Sequence, residues 1–421
     1  MIFVKSIFCN IILYIFLKNS PGIKMFNWKR NLFFLWLSQF LSSVGFSFAT
    51  PFIPFYIQAL GITDLAERSM WVSFYAASGN LSFCLLAPVW GFLADIYGRK
   101  LMVLRANFVS ALLVPLMAFV PGVGWLILIR FFVGMFSVTV TASQIIVSSN
   151  APVKNRGIAL GILTSAVYGG TVTGTCLGGI IVDSLGYRVS FFISGLTLFL
   201  SGLLVLLGVK EEFQKSVSLR ERLGDFKFSL PRFGPVWLIL LLIMLIGFSN
   251  QFDTPFFPML VAEVNGPEKA ATWTGIIASI VAVSGLVSGF ILGWLADRIS
   301  PQKVAVWSAL LAGIFMIPQA LAPSLGVLIP ARFGMVFFAG GLSPVFQIWL
   351  AKFTPDDKRG LLFGWASSAK SFGWALSALS GGSIAALMGV RWVYAAAAVM
   401  FLLLIPIIRI TIRKFENHPG V

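Results

Sequence analysis

The sequence predicts an all-α membrane protein of 12 transmembrane helices arranged as two pseudo-symmetric six-helix bundles. Three observations carry that expectation. Of the 421 residues, 58% are hydrophobic and only 11% charged, and the mean hydropathy of +0.92 is far from the balance of a soluble domain. Apolar runs of about 20 residues, each long enough to cross roughly 30 Å of hydrocarbon, recur along the whole chain. A charged hinge from Gly91 to Lys100 (GFLADIYGRK) returns from Gly293 to Lys303 (GWLADRISPQK), 202 positions later. Matching hinges in two halves of so apolar a chain imply paired bundles working against each other, as in a carrier.

Residues 1–25 form an N-terminal arm. Its apolar run from Ile7 to Leu17 is too short to span a bilayer. It imitates a signal peptide without a convincing cleavage site, and Met25 stands before the basic stretch Phe26 to Arg30, so the arm reads as a start-site artefact or an interfacial helix. The expected spans are 32–59, 71–93, 102–120, 125–148, 157–182, 188–209, 236–262, 272–295, 303–321, 327–349, 360–386 and 392–412. A first bundle thus occupies 26–209 and a second 236–412, joined by a polar linker over 210–235 and followed by a tail at 413–421.

The halves match beyond the hinge. Pro51 to Pro54 (PFIP) returns as Pro255 to Pro258 (PFFP), Arg130 as Arg332, Arg156-Gly157 as Arg359-Gly360, and Gly186 to Arg188 as Gly389 to Arg391, all at offsets between 202 and 204. Six spans separate each pair, so the copies share orientation and the halves are related by an axis along the membrane normal.

The net charge of +16 does not indicate nucleic acid, because the basic residues are scattered over short connectors rather than gathered on a groove. With both termini cytoplasmic, about 24 of the 31 Lys and Arg fall on the cytoplasmic side and about four outside. Arg130, Arg332 and Lys370 remain within spans. Cys9, Cys84 and Cys176 lack metal or disulfide spacing, and the one histidine, His418, lies in the tail. No metal site, cofactor or catalytic set is expected, and without a phosphate-binding loop direct ATP coupling is not expected either.

Asp253 is the one acid deep within a span. Burial favours its neutral form and a neighbouring cation its carboxylate, so a movement that exchanges these surroundings would load and release a proton. A static ion pair with Arg332 or Lys370 is the structural alternative. Arg130 lies about a turn and a half inside the fourth span, where an unpaired charge is costly and marks function unless it snorkels outward. Gln39, Phe46, Arg332, Trp365 and Lys370 are candidates for lining a central cavity, aromatic surfaces suiting flat apolar ligands.

In the hinges, Asp95 and Asp297 are placed to cap the starts of the eleventh and fifth spans from the opposite half, each worth on the order of 1 kcal/mol. Gly91 and Gly98 would permit the close approach, while Arg99, Lys100 and Arg298 read equally as lock residues or as membrane anchors. Gly170, Gly174, Gly178 and Gly179 give the fifth span a small-residue face for helix packing, expected between the halves.

These motifs resemble those of the major facilitator superfamily. The hinge from Gly91 to Lys100 looks like its signature turn, and Arg130 to Gly134 (RFFVG) like its fourth-helix motif, implicated in proton transfer. Asn27 to Asn31, Pro51 to Pro54, Met70-Trp71 and Ala87 to Gly91 through Arg105 resemble the drug:proton antiporter branch. The resemblance implies a central cavity, rocker-switch alternating access and a monomer. Two departures stand out: Gly174-Thr175 replaces the branch's Gly-Pro, and Ile299 to Pro301 replaces Tyr-Gly-Arg in the second hinge. The expected function is proton-coupled export of amphiphiles or drugs across the inner membrane, with lipid, protons and a small molecule as partners. An exporter of a siderophore, sugar or organic anion is the alternative within the fold, and a non-transporting sensor or scaffold the alternative outside it.

Overall fold

In a computed structural model of the chain, the described residues are 23–137, 139–152, 155–211, 236–340, 342 and 359–416, and among them helices are the sole regular structure. Residues 1–22 of the arm, most of the linker (212–235) and 417–421 of the tail lie outside them. Helix α1 runs Ile23–Ala49 and continues through a 3-10 turn, Thr50–Phe52, into Ile53–Ala59. Pro51, lacking an N–H, breaks the regular ladder there. Helix α2, Leu65–Tyr97, starts on the Asp64 carboxylate, which accepts the Glu67 N–H at 2.8 Å, and stops at Gly98. Gly98 has φ 91°, a conformation that favours glycine and lets α3, Arg99–Leu116, leave at once.

Helix α4 is broken, Val123–Phe136 then Val140–Asn150. Arg156–Gly208 is continuously helical over 53 residues except at Gly186, φ 82°. A straight helix of that length would reach about 80 Å, far beyond a bilayer, so the chain turns back at Gly186 and forms α5 (156–185) and α6 (187–208). Helix α7 mirrors α1: Val236–Gln251, a 3-10 turn Thr254–Phe256 at Pro255, then Phe257–Asn265. There follow α8 (Ala270–Arg298), α9 (Pro301–Ala320), α10 (Leu325–Gly340), α11 (Arg359–Met388) and α12 (Val390–Glu416).

Ten of the described helices are long and apolar enough to cross a membrane. One contains both α5 and α6, and the shorter apolar helix α10 completes twelve. Each reverses the direction of the last. The starts of the odd-numbered helices therefore gather on one side, here the terminal face, and their ends on the other, the opposite face.

With lipid as apolar as the side chains, helices hold together through close packing and hydrogen bonds rather than through exclusion of water. In the first set α1 lies along α5 and α6. Ser38 and Ser201 pair at 2.8 Å, and Asn31 exchanges two hydrogen bonds with the Lys210 backbone at 2.6 and 2.9 Å. In the second set α7 packs on α11, and α9 on α10 and α12. Arg391 binds Glu263 of α7 at 2.6 Å and the carbonyls of Ala320, the last residue of α9, and of Ala322 beyond it, tying three helix ends together at the opposite face. The two sets meet along α2–α11 and α5–α8.

Candidate functional site

The hydrogen bonds and close glycine contacts described between the two sets lie towards the opposite face. There Asp183, near the end of α5, accepts both the backbone N–H and the hydroxyl of Thr272, at 2.7 and 2.6 Å, and so caps the first turn of α8 from the other set. Below it, Gly179 lies against the Ala271 carbonyl and Gly275 against the Thr175 carbonyl, and the Ser279 hydroxyl donates to the Val172 carbonyl at 3.1 Å. On the other flank, Gly382 of α11 gives Ser73 of α2 the room a Cβ would fill.

Followed towards the terminal face, the same stripe of α5 reaches Gly161 and Gly157 and that of α8 reaches Gly289. A Cβ on any of them would meet nothing within 4 Å among the described residues. Gly91, five turns along α2 from Ser73, is equally free, and Tyr168, two turns below Thr175, is 43% exposed. Among the described residues, the helices that touch at the opposite face make no such close contacts at these positions near the terminal face.

The small-residue face of α5 serves two neighbours. Gly170, Gly174 and Gly178, spaced by four, fit against the carbonyls of Phe40, Val44 and Phe48 of α1, inside the first set. Thr175, Gly179 and Asp183, also spaced by four but one residue round the helix, face α8 across the halves. Helix α5 runs unbroken through Gly174-Thr175, with the Thr175 hydroxyl donating to the Thr171 carbonyl at 2.7 Å.

Asp253 sits at the break in α7 and is fully buried. It pairs with Arg332 of α10, which also reaches Gln319 of α9 at 3.4 Å and lies over the Phe257 ring at 4.7 Å. The pair is internal to the second set. Its carboxylate Oδ1 and the buried Tyr394 hydroxyl have no hydrogen-bond partner among the described residues.

The offset that aligns the two Pro-Phe-x-Pro segments puts Ala49 where the second set has Asp253. Arg130 accordingly has no matching acid. It lies 5.4 Å from the Tyr75 ring centroid, next to Gly79, with its buried Nε unpartnered among the described residues.

Gln39 is buried, donating to the Ser143 hydroxyl at 2.9 Å. Phe46 packs on the main apolar core, and Trp365 stands edge-on to Trp237, centroids 6.3 Å apart. Lys370 is half-buried, its ammonium 5.1 Å from the Trp374 ring centroid.

In the hinge, Glu211 accepts the backbone N–H groups of Arg99 and Lys100 at 3.0 and 2.7 Å, capping α3, and Lys100 Nζ donates to the Leu206 carbonyl at 2.9 Å. Arg298 covers the Trp294 ring at 4.2 Å. The side chains of Asp95 and Asp297, and those at the start of α11 (359–364), lie outside the described part, and with them the two caps expected at the terminal face. Asp183 and Glu211 were not among the sequence candidates. The continuation of the Thr175–Gly179 stripe by another four residues was the available signal for Asp183.

The family model described as Major Facilitator Superfamily matches residues 35–268 and 239–419. The chain is 31% identical over 382 residues to the multidrug resistance protein MdtG of Rahnella sp. (strain Y9602), covering 89% of this chain and 92% of that protein. It is also 31% identical over 377 residues to a multi-drug resistance efflux pump PmrA homolog of Lactococcus lactis subsp. lactis (strain IL1403), with 87% and 91% covered. Among solved structures, that of the nucleoside transporter NupG superposes with a TM-score of 0.75 at 14% identity, over 90% of this chain and 99% of that one. That last likeness is one of fold.

Proposed function

Because the chain belongs to the major facilitator superfamily, we propose that this multi-pass membrane transporter exports small amphiphilic compounds or drugs in exchange for protons. The observation that carries the reading is the one-sided joining of the two sets of six helices: the hydrogen bonds and close contacts described between them gather towards one face, as one half-cycle of alternating access requires. The names of the MdtG and PmrA relatives support multidrug efflux as the task. The excess of basic residues on the terminal face supports a cytoplasmic location for that face and both termini, with the protein in the inner membrane. The joined face is then the outer one, which leaves the cytoplasmic side, where an exporter loads, as the side that opens. The moving bodies are residues 26–209 and 236–412, and one chain supplies both.

Coupling falls to Asp253, with Arg130 assisting. Protonation of the Asp253 carboxylate removes the charge that holds Arg332, so a proton and the guanidinium compete for one site. Rocking that changes which of them wins converts proton entry into outward movement of substrate. Proton-driven export measured in everted vesicles is expected to collapse in Asp253→Asn, while substrate counterflow, which needs no proton, persists. Undiminished proton-driven export in that variant would remove Asp253 from coupling.

A further inference from the structure

Charge balance in the membrane interior points to the kind of substrate. Among the spans the mid-membrane cations are Arg130, Arg332 and Lys370, against Asp253 as the one deep acid. The structure assigns that acid to Arg332, so the pair is neutral and buried. Arg130 rests on an aromatic face, and so does Lys370.

Lys370 is the better placed of the two for a ligand. Its backbone and Cγ lie in the notch left by Gly247 of α7, where a Cβ would stand 2.9 and 3.1 Å from them, and its ammonium turns to Trp374. No carboxylate is paired with it among the described residues. A Lys at this depth is not stable against lipid and belongs in polar space. An ammonium without a counter-charge among the described residues, beside an indole face, fits an anion joined to a flat ring. The ring is taken by the aromatic face, the charge by Nζ, and the anion supplies the acceptor the ammonium lacks.

We propose that the Lys370–Trp374 corner of α11 is an anion subsite, and that the transporter prefers aromatic amphiphiles carrying a carboxylate. This rests on the export reading and deepens it by naming the substrate class.

The test uses three tritiated probes that share a ring and differ in charge: 2-naphthoate, 2-naphthamide and 2-naphthylmethylammonium. Binding to the full chain in nanodiscs is followed by scintillation proximity and export by everted vesicles. Naphthoate is expected to bind the wild type at least about tenfold more tightly than the amide, the ammonium probe weakest of all. Lys370→Gln should abolish that preference while leaving the amide unchanged, and Lys370→Arg should keep it. A preference intact in Lys370→Gln, a wild type that favours the amide or the ammonium probe, or no naphthoate binding at millimolar concentration would each overturn the proposal. Export of all three probes without regard to charge would leave the export reading standing and remove the subsite. Charge-selective binding without export of any probe would keep the subsite and remove the export reading.

Discussion

Replacing Asp183 by Ala removes two bonds of the clasp at the opposite face, from the Thr272 N–H and hydroxyl, both at 2.7 Å or less. Losing an Asp cap costs about 1 kcal/mol, and losing its charge from the positive end of α8 a further ~0.3–1 kcal/mol. With the carboxylate exposed to solvent the total is about 1–2 kcal/mol, which multiplies the ratio of outward-open to inward-open molecules by roughly 5–30. The backbone contacts of Gly179 with Ala271 and of Gly275 with Thr175 survive the substitution, as does the Ser279 bond to the Val172 carbonyl. The shift should therefore appear as a changed population rather than a collapsed fold. Spin labels at Leu185→Cys and Trp273→Cys, in a background with the native cysteines replaced, would report the distance across this face by double electron–electron resonance. A larger long-distance fraction is expected in Asp183→Ala and an intermediate one in Asp183→Asn, which keeps an acceptor oxygen but not the charge. Identical distance distributions in all three proteins would refute the clasp.

Gly178→Leu forces a side chain into the Phe48 carbonyl of α1 and should lower thermal stability by about 1–3 kcal/mol. Gly157→Ala, with nothing near its Cβ among the described residues, should change stability by less than ~0.5 kcal/mol; differential scanning fluorimetry in detergent compares the two. Arg332→Met alone strands the buried Asp253 carboxylate and should cost about 3–5 kcal/mol, whereas Arg332→Met with Asp253→Leu should recover most of it. If coupling resides in the pair, that double variant regains stability without regaining proton-driven export in everted vesicles.

Most of the fold is legible in the sequence because a membrane helix satisfies its own backbone, so each span is written in local composition alone. The bends are local too: Pro51 and Pro255 break α1 and α7 because proline has no N–H, and Gly186 reverses the chain because it accepts a positive φ. The two-fold repetition was readable for the same reason, as paired motifs at a fixed offset. Asp253 and Arg332 were recognisable as costly charges, yet only the tertiary structure joined them across 79 positions of chain. Helical spacing revealed that α5 is rich in small residues, but a spacing of four does not say which neighbour a stripe meets. Assembly gave the Gly170–Gly174–Gly178 stripe to α1 and the Thr175–Gly179–Asp183 stripe to α8. Asp183 and Glu211 look like ordinary acids at span ends until packing brings a helix start to each, from 89 and 111 positions away. Local chemistry thus determined what crosses the membrane and where it bends; which charge meets which helix end, and at which face the halves touch, arose only when segments distant in sequence came within hydrogen-bond reach.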